Sequence, residues 1–193
     1  MGRPALFDKQ EVLRAALDTF WKHGYDKALF SDLEKSTGVK KMTLFREFGD
    51  KEDLFLAALD EYHKETVSHF EKALSLESPM RSIEAFLDRP IEMATGNRCT
   101  YGCFHINSIV EQVTHNERVA KKIKVQQMKI RKLLITVLAK GQSDKSIRSD
   151  LSAGELADYL LCSIYGIVVG GKSKISRASM KATKKLIIDA ITR

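Results

Sequence analysis

Apolar residues recur at three- and four-residue spacing along almost the whole chain, and no stretch keeps the two-residue rhythm of a strand, so the sequence predicts helices joined by short turns. The first helix covers residues 8–24, where Val12, Leu13, Ala16, Leu17, Phe20 and Trp21 make one stripe. Asp8 stands at its N-cap with Glu11 three residues on, Phe7 and Val12 are spaced as a hydrophobic staple, and Gly24 ends it. Two short helices follow. Ser31 and Glu34 form a capping box for residues 31–37, which Gly38 closes with a left-handed backbone, and residues 40–47 turn Leu44 inward and leave the other face polar and basic. Asp50 then caps a long helix over 51–75 that carries Leu54, Phe55, Ala58, Leu59 and Tyr62 along one side.

Past residue 75 the predicted helices lengthen. One runs from Pro79, at a favoured first position, to Met93; another from Gly102 to Val113; a third is capped by Asn116 and passes Ala139 to end at Gly141. Ser152 and Glu155 box the start of a helix reaching Gly170, and the last spans 177–191. Residues 142–150 are polar and read as a flexible loop. The expected fold class is all-α, with about nine helices. It divides into a three-helix N-terminal module over 1–50, a linking helix over 51–75, and a larger helical domain over 76–193.

Composition narrows this reading only a little. A chain of 193 residues with 44% hydrophobic and 30% charged residues can bury a sizeable core and still leave a module of about 50 residues beside it. No run of 18 apolar residues occurs and the start lacks the apolar stretch of a secretory signal, so a cytoplasmic chain without membrane contact is expected. Cys99, Cys103 and Cys162 are an odd number in such a chain and are expected as reduced thiols. A net charge of +7 suits a polyanionic partner, yet the first 50 residues are nearly balanced while 118–132 and 172–185 are strongly basic. Lysines there also fit an ordinary solvated helix face, so bulk charge decides nothing.

The pair of short helices is more informative. Two such helices about a glycine-containing turn, apolar only where they must pack inward, form the pattern of a helix-turn-helix, whose second helix enters the major groove while flanking lysines meet phosphates. The run Phe30-Ser31-Asp32-Leu33 through Gly38-Val39-Lys40-Lys41-Met42-Thr43-Leu44-Phe45-Arg46-Glu47-Phe48-Gly49-Asp50-Lys51-Glu52-Asp53-Leu54 resembles the signature of the TetR family in order and spacing, most strongly over residues 8–60. The resemblance implies a sequence-specific transcriptional regulator, a repressor released from double-stranded operator DNA by a small-molecule inducer. It sets Lys40, Lys41, Met42 and Phe45 against base edges, Thr43 and Lys51 on phosphates, Arg3 in the minor groove and Ser31 beside the DNA backbone, with Arg46 on the same reading helix. Phe45 stands where the family usually has tyrosine and Met42 where a small residue or proline is common. Both offer apolar contact to a thymine methyl, so the operator is expected to favour thymine there.

One reading helix grips too few bases, so a protein of this design binds as a homodimer over a palindrome. The last two helices are expected to supply the interface through Cys162, Gly166, Val169 and Gly170 and through Ile187 and Ile191, and the resemblance implies a four-helix bundle across the dimer. The middle helices then surround a cavity for the inducer. Phe86, Cys103, Phe104, Ile109, Met128 and Tyr165 are candidates to line it, although each also suits an ordinary core position. Cys103 lies near the start of a predicted helix, where aligned amides favour thiolate, and the resemblance implies an electrophilic inducer sensed there; a buried inert thiol is the alternative.

Three rival readings fit less well. Gly166-Ile167-Val168-Val169-Gly170-Gly171-Lys172-Ser173 fits the phosphate-loop pattern, but that loop must leave a strand, and only 20 residues follow it. Cys99, Cys103 and His105 lack a fourth ligand at zinc spacing. A helical adaptor binding acidic partners or nucleic acid without sequence choice explains the charge but not the detail of the short-helix pair. No nucleophile, base and orienting acid are grouped, so neither an enzyme nor a cofactor is expected.

Overall fold

The computed structural model describes residues 7–96, 99–112 and 117–192. Among the described residues there are nine α-helices, one 3-10 turn (Cys99–Tyr101) and no strand, as an all-α class requires. The helices are α1 (Lys9–His23), α2 (Phe30–Thr37), α3 (Lys41–Phe48), α4 (Lys51–Leu74), α5 (Pro79–Thr95), α6 (Phe104–Gln112), α7 (Glu117–Ser143), α8 (Ala153–Lys172) and α9 (Arg177–Thr192).

Most helix starts follow from local chemistry, because a first turn leaves amide donors that a nearby oxygen must take up. Asp8 accepts from the Gln10 amide at 2.7 Å. Asp50 accepts from the Asp53 amide at 2.8 Å while the Asp53 carboxylate accepts from the Asp50 amide at 3.2 Å. Ser152 and Glu155 make the same reciprocal pair on α8. The expected box at Ser31 is not formed. α2 begins a residue earlier, with Leu29 at the N-cap and the Asp32 carboxylate accepting the Leu29 amide at 3.0 Å. Leucine has no acceptor to return, so this is half a box, and Ser31 is an exposed residue of the first turn. Asn116, expected to cap α7, lies outside the described residues.

The other end of α7 also departs from expectation, for it continues through Gly141 to Ser143. Ile147, buried at 3% exposure, fills the space a Cβ on Gly141 would occupy, so the glycine serves close packing rather than termination. The expected flexible loop is therefore a packed turn. Gln142 Nε2 donates to the carbonyls of Arg148 and Leu151, each at 2.8 Å, and the Arg148 amide donates to the Ile191 carbonyl at 2.9 Å.

The chain forms two compact units that divide it differently from the sequence reading: Met1–Glu65 with Phe104–Ile123, and Thr66–Cys103 with Lys124–Arg193. The first unit has an aromatic core. Phe55 meets Phe20 at 5.2 Å, Tyr25 at 5.0 Å and Phe104 at 5.4 Å between ring centroids, and Tyr62 meets Trp21 at 5.1 Å and Phe104 at 5.7 Å. Edge-to-face rings of this kind add to their burial, and Phe104 thereby ties α6 to the N-terminal helices.

The second unit buries Ile83, Phe86 and Leu87 of α5, Leu134 and Leu138 of α7, Leu160 and Ile164 of α8 and Ile187 and Ile191 of α9 in one cluster. By length and composition α8 could cross a bilayer, but Leu156, Leu160, Ile164, Ile167 and Val168 are core residues here. The phosphate-loop-like string lies largely within α8, as a helix and not a loop. Gly171 within it allows close helix packing, since a Cβ there would sit 2.7 Å from the Ala94 backbone of α5. We expect Gly171→Ala to lower stability by about 1–3 kcal/mol through overpacking, read as an earlier thermal melt. An unchanged melt would deny the close approach.

Candidate nucleic-acid interface

α2 and α3 have eight residues each, too few to persist alone, so their position is fixed by burial and caps. Leu33 and Leu44 are fully buried, and Gly38 turns the chain between the helices at φ 69°. Lys40 is the N-cap of α3 but supplies no side-chain acceptor. Glu34 of α2 does so instead, accepting the Lys41 amide at 2.7 Å. One carboxylate thus joins both helices of the motif.

The outer face of α3 is polar and open. Lys40, Lys41 and Arg46 are exposed, Met42 is 78% exposed, and Thr43 and Phe45 are half-buried. Phe45 stacks on Phe30 of α2 at 5.0 Å, and the Lys41 ammonium lies over both rings, 4.5 Å from Phe30 and 5.5 Å from Phe45. Lys51 is half-buried, with Nζ 4.7 Å from the Tyr25 ring and 3.4 Å from the Asp26 carbonyl; burial lowers its pKa, partly opposed by Asp26. Glu47 accepts from Lys9 at 2.7 Å and from Arg46 at 3.2 Å, and those bonds hold its carboxyl below the usual range. Arg3 lies outside the described residues.

Two further contacts brace this face within the same unit. Glu111 of α6 accepts the Tyr25 amide at 3.3 Å, directly over Gly24, whose φ of 79° is one that residues with side chains rarely adopt. Arg118 of α7 bonds Asp53 at 2.7 Å and Glu52 at 2.8 Å in the first turn of α4. The Arg118 bond, then the Asp50 amide, keep the Asp53 carboxyl below its ordinary value. Glu34, Phe30, Glu111 and Arg118 were all missed by sequence reasoning. Glu34 was visible but assigned to its own helix, and the others join segments distant in the chain.

The remaining candidates are divided between the two units. Phe104 and Ile109 belong to the first unit, Phe86 is core in the second, Cys103 is half-buried beside the 3-10 turn, and Met128 is 60% exposed. Tyr165 is half-buried; its hydroxyl accepts from Gln127 Nε2 at 2.9 Å, and burial raises its pKa against that bond. Gln126 is buried at 2% exposure, and neither of its amide atoms has a hydrogen-bond partner among the described residues. Of the expected interface residues, Cys162, Gly166 and Val169 are exposed, whereas Gly170, Ile187 and Ile191 are buried, Gly170 beneath Ile175. Tyr159, Gly166, Ile175 and Leu186 border an open groove of about 380 Å³ between α8 and α9.

This geometry agrees with comparison to known proteins. Residues 12–58 match the model of bacterial regulatory proteins of the tetR family, and residues 79–185 match the tetracyclin repressor-like C-terminal domain, more than half of the chain. The chain belongs to the TetR family. It is 31% identical over 179 residues to the HTH-type transcriptional repressor ComR of Escherichia coli K12, spanning 91% of this chain and 84% of that protein. It is 25% identical over 187 residues to the repressor DhaR of Mycobacterium sp. GP1, with 95% and 91% covered. TetR-family structures share the fold: a cysteine mutant of CifR complexed with 26-bp operator DNA superposes with TM-score 0.87 at 23% identity, covering 97% of this chain and 99% of that one. A TetR regulator from Chloroflexus aurantiacus gives 0.86 at 24%, covering 95% and 93%. As a TetR-family member this chain is a helix-turn-helix transcriptional regulator and not an enzyme.

Glu34→Ala removes the cap on α3 and is expected to cost about 1 kcal/mol in thermal or urea unfolding, where Glu34→Gln costs less. A second outcome concerns acid. The folded-state pKa of Asp53 is depressed, so its contribution is present above its unfolded value, about 3.9, and is lost as pH falls through the lower folded value. In Arg118→Ala the Asp53 resonance should titrate at higher pH by NMR and the acid limb of the stability profile should flatten. An unmoved Asp53 would contradict the pairing.

Proposed function

We propose that this chain is a homodimeric repressor that binds a palindromic operator in double-stranded DNA through α3 and is released by a small-molecule inducer. The observation that carries the DNA reading is the outward face of α3: Lys40, Lys41, Met42 and Arg46 stand in solvent while Leu44 is buried and the Glu34 carboxylate of α2 caps α3. A helix so presented fits the major groove, with Lys40, Lys41, Met42 and Phe45 toward base edges. Thr43, Ser31 and Lys51 are taken as backbone contacts, Lys51 after leaving the Tyr25 ring, and Arg3 as a minor-groove contact.

The dimer rests on a separate observation. Tyr159 (41%), Val169 (48%), Ile175 (49%) and Leu186 (67%) leave an apolar surface open on α8, α9 and the turn between them, beside exposed Cys162 and Gly166. Leu186 takes the place that the sequence reading gave to Ile187 and Ile191. The N-terminal module is read as the DNA-binding part and residues 76–193 as the sensing and dimerising part, working in the cytoplasm where the operator lies. The inducer must bind better to the dimer geometry that cannot match the groove spacing, since only differential affinity moves an equilibrium. Its class stays open, with Cys103 and Tyr165 in the second unit as candidate contacts.

Selection from a random duplex pool should recover a palindrome. Lys51→Ala should weaken binding to all duplexes and reduce the salt slope, Lys41→Ala should also change base preference, and Leu186→Asp should yield monomers in sedimentation. A wild-type chain that is monomeric, or indifferent to duplex sequence at moderate salt, overturns the proposal.

A further inference from the structure

The Lys41 ammonium is the one α3 cation seated on an aromatic pair among the described residues, and one ring of that pair, Phe30, belongs to α2. The two rings stack at 5.0 Å with 29° between their planes, and the Lys41 amide is fixed at 2.7 Å by Glu34. Both ends of the lysine are therefore directed, its backbone by a carboxylate and its head by ring faces. A lysine on a free helix surface spreads over many rotamers, and ordering it opposes binding. Here part of that ordering exists before DNA arrives, and the attraction of ammonium to a ring face supplies it.

We propose that Phe30 is a positioning residue for base reading: it holds the Lys41 ammonium and the Phe45 ring in one arrangement, so that the lysine meets the acceptor edge of a guanine beside the thymine that Phe45 and Met42 contact. This rests on the operator reading above. Guanine offers N7 and O6 to a lysine in the major groove, whereas phosphates are met equally well by a lysine free to swing. Fixing the head thus favours one base pair without raising affinity for DNA in general. Phe45 is half-buried with Phe30 stacked on it, so the same contact decides how its ring is displayed.

The test uses the duplex recovered with wild-type protein and its single-base variants, measured by fluorescence anisotropy beside a random duplex. Phe30→Leu should bind the recovered duplex about two- to fivefold more weakly, the size expected of an exposed cation–π contact. It should lose discrimination at the guanine, keep its affinity for random DNA and keep its melting temperature. Phe30→Tyr retains the ring face and should restore discrimination. Lys41→Ala, a change at an exposed side chain, should erase the preference at the same base pair, and adding Phe30→Leu to it should change that preference no further. Retained discrimination in Phe30→Leu, equal loss on random DNA, failure of Phe30→Tyr to restore it, or additive losses in the double variant would each overturn the proposal. If Phe30→Leu melts lower, Lys41→Ala and Phe30→Tyr still decide. A wild-type chain without base preference removes the operator reading itself, a result distinct from all of these.

Discussion

Two helices of eight residues cannot hold themselves in water, and the arrangement of the first unit answers that constraint. Buried Leu33 and Leu44 anchor them, and the Glu34 carboxylate spans the turn to take the first amide of α3. Beneath them the cluster of Phe20, Tyr25, Phe55 and Phe104 supplies a stiff floor that the short helices do not possess. The exposed face of α3 can be polar and cationic only because so little of α3 is needed to keep it folded.

That floor explains why α6 belongs with the N-terminal helices. Phe104 brings the start of α6 into the aromatic cluster, Glu111 closes over Gly24 near its end, and Arg118 fastens the first turn of α7 to that of α4. The exposed ion pairs contribute little stability by themselves. Their effect is directional, since each meets a helix terminus and so fixes where a backbone begins or ends.

Helix existence was legible in the sequence, because it depends on spacing and on donors a few residues away. Asp8, Asp50 and Ser152 cap as their neighbours dictate, and Leu44 turns inward as its period requires. Ser31 failed because the Asp32 carboxylate takes the Leu29 amide, the part expected of Glu34, and the helix starts early enough to leave Ser31 inside its first turn. Gly141 failed because a glycine at a helix end and a glycine beneath a packed side chain look alike in one dimension. Ile187 and Ile191 read as an interface from periodicity, but period does not say which of two apolar neighbours the chain keeps for its own core; Leu186 is the one left outside. On the proposed DNA-facing side the cations of α3 were legible one by one. The seating of Lys41 by Phe30 and Glu34 was not, since neither residue lies on α3.

At Gly171 the backbone of α8 meets the backbone and methyl of Ala94 on α5 with no rotatable side chain interposed. Interlocked side chains can yield by changing rotamer, but bare main chains have nothing to rotate. Toward Pro79, by contrast, α5 meets the core through Ile83, Phe86 and Leu87, side chains that can repack. A change of spacing at the glycine level must therefore be taken up by shifting a whole helix, whereas the same change near the entry of α5 can be absorbed by side chains alone.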